Sequence, residues 1–158
     1  MLTERMIWMQ ACLFFGLPAA NGAVELSTMF SHHAVLQRGE PVPIWGWGKP
    51  GEKVTVRFAG QVKQTEVDAE GGWRLQLDAL EANTEGRVMT VAGADGPSLK
   101  VENVLVGEVW MASGQSNMQW ALSSTERAEE DIPRADYPAV RMFLTDLVTA
   151  GGPQRRGG

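Results

Sequence analysis

Cysteine is nearly missing from this chain of 158 residues, with Cys12 the only one. A single thiol builds no disulfide framework and no cysteine-based metal or redox site. Histidine is almost as scarce: His32 and His33 stand side by side and there are no others. Basic charge is short too. Lys and Arg number 14 against 19 Asp and Glu, for a net charge of -5 and a pI near 5.0. A nucleic-acid footprint needs a clustered basic face. The two arginines of the tail "GGPQRRGG" do not make one, so no nucleic-acid partner is expected.

What remains is average globular material, 44% hydrophobic and 21% charged, enough for a buried core. The first residues have the layout of a secretory signal peptide. Arg5 precedes an apolar run from Met6 to Leu17, and small residues follow, with Ala20 and Gly22 at the -3 and -1 positions of a cleavage site. The run is too short for a spanning helix, which needs about 20 residues. Too little apolar sequence precedes Cys12 for a lipoprotein anchor. We therefore expect residues 1–23 to be a signal peptide. The mature protein is expected outside the cytoplasm, periplasmic or secreted, with no membrane attachment once the signal is removed.

From Val24 to about Val106 the pattern is that of short strands. "KVTVRF" places Val54, Val56 and Phe58 on one face and Thr55 and Arg57 on the other. "WRLQL" sets Trp73, Leu75 and Leu77 against Arg74 and Gln76. A period of two marks half-buried strands. Turn residues punctuate them at 49–52, 59–61, 70–72 and 94–97, where Gly and Pro supply the backbone angles that turns need. Strands at this spacing predict an antiparallel sandwich of the Ig-like or jelly-roll type over residues 24–105.

The texture changes near Val104. "VLVGEVWMAS" is apolar throughout except for Glu108, which suits a strand buried on both faces of a parallel sheet. "NMQWALSSTERAEEDI" follows, with Met118, Ala121 and Leu122 at helical spacing. Pro133 and Pro138 break the chain, and "AVRMFL" at 139–144 has the look of another strand. Strand, turn, helix and strand open an α/β fold. Two strands and one helix cannot cover both faces of a parallel sheet, so residues 106–158 are expected to be the incomplete beginning of a second unit.

The turn between that strand and helix reads "SGQSNM". At the carboxyl edge of a parallel sheet, where ligands bind, Ser116 has two possible roles. It is a nucleophile, helped by unpaired N–H groups and partial positive charge at the helix start, or it is a plain helix cap. Gly114 gives a tight turn and room for a substrate. Gln115 and Asn117 either bind an acyl oxygen or brace the turn. Met118 stands where the G-x-S-x-G elbow of α/β-hydrolases has its second glycine, so that elbow is a poor match. Trp45 and Trp47 share a face of "IWGWG", fit for core packing or for stacking on sugar rings. Trp73 is expected in the core, and Trp110 and Trp120 flank the serine turn. "ERAEED" at 126–131 reads as a solvated face.

"VLVGEVWMASGQSNMQW" resembles the first block of sialate O-acetylesterases in the SGNH hydrolase superfamily. "LSTMFSHHAVLQRGEPVPIWGWGKPGEKVTVRFAGQ" resembles that family's N-terminal β-domain. The resemblance covers nearly all of residues 26–144. It implies a β-sandwich followed by the start of an α/β SGNH (flavodoxin-like) hydrolase domain, and an exported esterase that removes acetyl groups from O-acetylated sugars, typically sialic acids or sialoglycans. Ser116 matches the family nucleophile and its own N–H one oxyanion donor. Gly114, Gln115 and Asn117 are the neighbouring candidates for oxyanion or substrate binding. The family's Asp and His come from later blocks, and His32 and His33 match no catalytic position. Serine acyl transfer requires no metal or organic cofactor, so none is expected. A serine without a positioned base is a poor nucleophile, so the 158 residues alone are expected to be inactive. The rival reading is a non-catalytic carbohydrate-binding or scaffolding sandwich whose serine turn is structural.

Overall fold

A computed structural model describes residues 23–94, 96–145 and 151. The expected signal peptide lies outside the described residues apart from Ala23, as does the tail "GGPQRRGG" apart from Gly151. Eight strands follow one another: β1 Glu25–Leu26, β2 Val35–Gln37, β3 Val42–Trp47, β4 Lys53–Phe58, β5 Gln61–Glu66, β6 Gly72–Leu77, β7 Asn83–Ala92 and β8 Leu99–Gly107. They form a three-stranded sheet in the order β1-β3-β6 and a five-stranded sheet in the order β2-β8-β7-β4-β5. Every pairing is antiparallel except β2 with β8, which is parallel. The expected strand-rich domain is present, with that one departure from an antiparallel plan.

The alternation read from sequence decides which side chains face inward. β4 buries Val54, Val56 and Phe58, and β6 buries Trp73, Leu75 and Leu77. β3 contributes Val42 and Ile44, and β7 and β8 contribute Met89, Val91, Val101, Val104 and Val106 to the same cluster. One core is therefore shared by strands of both sheets. The β4–β5 hairpin closes on two residues, Ala59 at φ 48° and Gly60 at φ 80°. That is the double left-handed geometry whose twist matches flanking strands.

The smaller sheet is organised around Trp73. Gly46 is the cross-strand partner of Trp73. A β-carbon at 46 would lie 2.7 Å from Trp73 Cζ2 and would overlap the Glu25 carbonyl. The missing side chain makes room for the indole. The indole N–H is then shared between the Glu25 carbonyl at 3.2 Å and the Trp47 carbonyl at 3.1 Å. One side chain of β6 thus ties β1 and β3 to its own strand. Trp45 and Trp47 point to the opposite face of β3 and are half-buried. Trp45 meets Phe30 edge-on with ring centroids 4.6 Å apart, and packs against the core margin.

Past β8 the structure differs from the expected α/β opening. The run "VLVGEVWMAS" divides: Val104, Leu105 and Val106 are buried as the end of β8, which continues to Gly107, while Val109, Trp110 and Met111 are 53%, 86% and 94% exposed. No strand forms over 108–115 or 139–144. In place of a helix over 117–132 there are 3-10 turns at Ser116–Gln119 and Leu122–Ser124, one α-helical turn α1 at Ala128–Asp131, and a third 3-10 turn at Ile132–Arg134. The reason is physical. A strand buried on both faces needs strands beside it and helices over it, and no described residues stand in those places. Short helices are marginal without a surface to pack on. Of residues 108–145, only Ala128, Asp131 and Arg141 are less than fully exposed.

Gly46→Ala is expected to destabilise the domain by about 2–3 kcal/mol, the usual scale of overpacking a rigid site. Urea unfolding followed by tryptophan fluorescence measures it, and an unchanged midpoint would show that the Trp73 seat is not tightly fitted.

Candidate active site

The serine turn hangs from the end of β8. Glu108 directly follows β8 and pairs with Arg38, Oε1 to Nε at 2.7 Å. Gln37 Nε2 donates to the same carboxylate at 3.3 Å, and its Oε1 accepts from Val109 N at 2.9 Å. Arg38 and Glu108 are about half exposed, so the ion pair itself contributes little, at most about 1 kcal/mol. The Gln37 bond to the backbone fixes direction rather than adding much energy. A depression beside this pair is lined by Gln37, Arg38, Leu80 and Glu108 and does not include Ser116.

Ser116 opens a four-residue 3-10 turn, with Gln115 before it in extended backbone at φ -105°, ψ -161°. The cap position therefore belongs to Gln115, whose side chain makes no capping bond. Ser116 is exposed, and its hydroxyl has no hydrogen-bond partner among the described residues. The capping role is thus not the one this serine plays. The first turn bond runs from Met118 N to Gln115 O at 2.9 Å, and the next outside it from Trp120 N to Asn117 O at 3.2 Å. The N–H groups of Ser116 and Asn117 precede that first bond, as the leading donors of a helical turn do. A single 3-10 turn carries little macrodipole. Whatever help it gives an oxyanion comes from these two N–H groups.

Gly114 is not in the left-handed region, so the expected tight-turn role is not what requires glycine there. The requirement is space: a β-carbon at 114 would lie 2.7 Å from Met118 Cγ. Met118, itself 53% exposed, folds back beside the glycine. Trp120 is 65% exposed and its Nε1 donates to Ser124 O at 3.1 Å, bracing the following turn. Trp110 stands open at 86%. "ERAEED" is a solvated face, with Arg127 bridging Glu130 at 3.1 Å and Asp131 at 3.7 Å.

Neither histidine reaches the serine through a hydrogen bond. His32 Nδ1 accepts from Glu102 N at 3.1 Å, and His33 Nδ1 lies 2.8 Å from Asn103 Nδ2. Among the described residues no group of three or more His, Cys, Asp or Glu is placed to hold a metal ion, and no helix is long and apolar enough to cross a membrane. Four participants escaped the sequence reading. Gln37, with Arg38 on Glu108, holds the start of the segment, and Arg141 holds its end against His33 and Asn103. The one available signal was Arg141 itself, a lone charge inside the apolar "AVRMFL".

No protein-family model matches the chain. The sialate O-acetylesterase of Mus musculus is 35% identical over 141 residues, covering 82% of this chain and 26% of the mouse protein. That of Homo sapiens is 33% identical over 143 residues, covering 84% and 27%. The chain is homologous to the sialate O-acetylesterases. Among solved structures, a carbohydrate acetylesterase from Xanthomonas citri superposes with a TM-score of 0.80 at 36% identity, covering 85% of this chain and 31% of that one. The match covers more than four-fifths of this chain, while this chain spans about a quarter of the length of the curated relatives it matches.

A capping serine replaced by alanine costs about 1 kcal/mol. Ser116→Ala is expected to leave the urea midpoint unchanged, within about 0.3 kcal/mol, because its hydroxyl holds nothing. A loss on the capping scale would return Ser116 to a structural role.

Proposed function

We propose that this chain carries the nucleophile segment of a serine-dependent carbohydrate O-acetylesterase. Its substrates are O-acetylated sugars, sialoglycans among them. The observation that carries the reading is an exposed, unpartnered Ser116 hydroxyl on a turn with two leading N–H groups, inside the stretch homologous to sialate O-acetylesterases. Ser116 Oγ attacks the acetyl carbonyl carbon. The developing oxyanion accepts from the N–H of Ser116, with Asn117 N–H beside it. The sugar oxygen leaves with the proton that the serine gave to a general base, and water then releases acetate from the acyl-serine.

The resemblance places that base in a later block of the family. Both histidines of the chain have Nδ1 engaged by β8, and the resemblance assigns the family's His and Asp to later blocks. Removing the general base from serine hydrolases costs on the order of a million-fold, so the 158 residues alone lack useful activity. The accompanying fold reading is an Ig-like or jelly-roll-type sandwich from residue 24 to the end of β8, then the opening of an α/β SGNH domain. The exposed side chains of Trp110, Met111, Met142 and Leu144 support it, since apolar surface of this extent marks an interface. Export by residues 1–23 completes the proposal.

A fluorophosphonate probe tests it. The full-length gene product is expected to be labelled at Ser116, and Ser116→Ala to lose the label. The 158-residue chain under the same conditions is expected to label slower by a factor on the order of a million. Labelling that persists in Ser116→Ala excludes the nucleophile assignment. A full-length wild type that is never labelled moves the protein to the carbohydrate-binding reading.

A further inference from the structure

Two non-glycine residues with left-handed backbone lie together where β2 meets β8. His33 has φ 67° and Asn103 has φ 55°. Asn103 Nδ2 lies 2.8 Å from His33 Nδ1, and His33 N donates to the neighbouring Glu102 O at 3.0 Å. Asn103 sits at an irregularity of the β7–β8 ladder, where the register shifts between the Arg87–Val104 and Met89–Val101 pairs. Opposite it, a β-carbon on Gly86 would come 2.8 Å from Asn103 Cα and overlap Asn103 Oδ1. Backbone outliers of this kind cost of order 1–3 kcal/mol each and persist where the surroundings over-determine them. Bulges re-aim groups that a regular ladder would keep inside.

The groups re-aimed here are acceptors, and all of them meet Arg141. Its Nη1 donates to His33 O at 3.0 Å and to Asn103 O, and its Nη2 donates to Asn103 Oδ1 at 3.0 Å. A guanidinium has donors only. It therefore fixes Asn103 with Oδ1 outward and Nδ2 toward His33, which makes His33 Nδ1 the acceptor of that contact. Three acceptors converging on one planar fork suit arginine and not lysine.

We infer that Arg141 is a positioning residue: acting through His33 and Asn103, it returns the far end of the Ser116 segment to the β2–β8 edge. The near end is held at the other end of β2, by Gln37 and Arg38 on Glu108 and Val109. The residues between these pins are exposed, apart from half-buried Ala128 and Asp131, so packing cannot set their place and the pins do. The consequence for catalysis rests on the reading of Ser116 as nucleophile.

Chymotrypsin digestion of the 158-residue chain reads the anchor without that assumption. Arg141→Met keeps the apolar stem and removes every donor. It is expected to speed cleavage at Trp120 and Tyr137 about tenfold, since cleavage follows the population of the open form. The urea midpoint of the β-domain is expected to hold. Arg141→Lys is expected to fall between, and it decides the matter if Arg141→Met lowers the midpoint. In the full-length gene product, Arg141→Met is expected to lower kcat on an acetyl ester about tenfold with KM unchanged, the effect of a displaced nucleophile. Equal cleavage of wild type and both variants overturns the anchor. Faster cleavage with unchanged kcat overturns the positioning role. Full activity in Ser116→Ala refutes the nucleophile reading and with it the positioning role, while faster cleavage would still uphold the anchor.

Discussion

An indole laid over a glycine holds the smaller sheet together, and the larger sheet is built against the surface this creates. Trp73 reaches Glu25 of β1 and Trp47 of β3 with a single N–H, and Gly46 is bare so that the ring can lie flat on its partner strand. β1 has only two residues and, among the described residues, pairs with β3, so this shared bond adds to a short ladder. Leu75 and Leu77 join Val54, Val56 and Phe58 in one buried cluster. Burying a side chain of this size contributes about 1.5–3 kcal/mol, so the cluster outweighs any surface ion pair in the molecule.

That core stops at Gly107, and what lies beyond it is held differently. Apolar burial is non-directional and fixes a sheet; it cannot place a segment whose side chains face water. The Ser116 segment is placed by directional bonds at the two ends of β2. At one end a glutamine and an arginine receive Glu108 and Val109. At the other, backbone carbonyls turned out by left-handed residues receive Arg141. β2 has only three residues and is the parallel edge of its sheet. Its service is less to the core than to the loop it carries.

How much of this was legible in the sequence follows from the range of the interactions. "KVTVRF" and "WRLQL" were readable because a period of two is local and the burial it predicts is decided within one strand. Trp45 and Trp47 were rightly put on one face, yet that face looks outward while Val42 and Ile44 look in; alternation gives the two faces but does not say which is core. "VLVGEVWMAS" was read as one strand because an apolar run looks alike whether it ends a sandwich strand or fills a parallel sheet. The helix expected from Met118, Ala121 and Leu122 has the correct spacing but no surface to pack on. Asn103 and Arg141 could not be paired from sequence, since 38 positions separate them and an asparagine inside a strand pattern signals only a weak strand.

The same distinction bears on the serine. Acyl transfer asks for a nucleophile held to within about 0.5 Å of its working position, along with oxyanion donors and a base. On the proposed reading the turn supplies the first donors through its backbone, a property that any sequence folding into this turn would share. On that reading the side chain at 116 is the element specific to chemistry, and among the described residues it forms no hydrogen bond, as Gln115 and Asn117 beside it form none through their side chains. A segment pinned at its far end by bonds to strained backbone at His33 and Asn103 is hard to explain by stability alone. Stability would favour a capped serine and a regular β8. The strain is better understood as the cost of placing the segment, and a segment is worth placing when something on it must meet a second group.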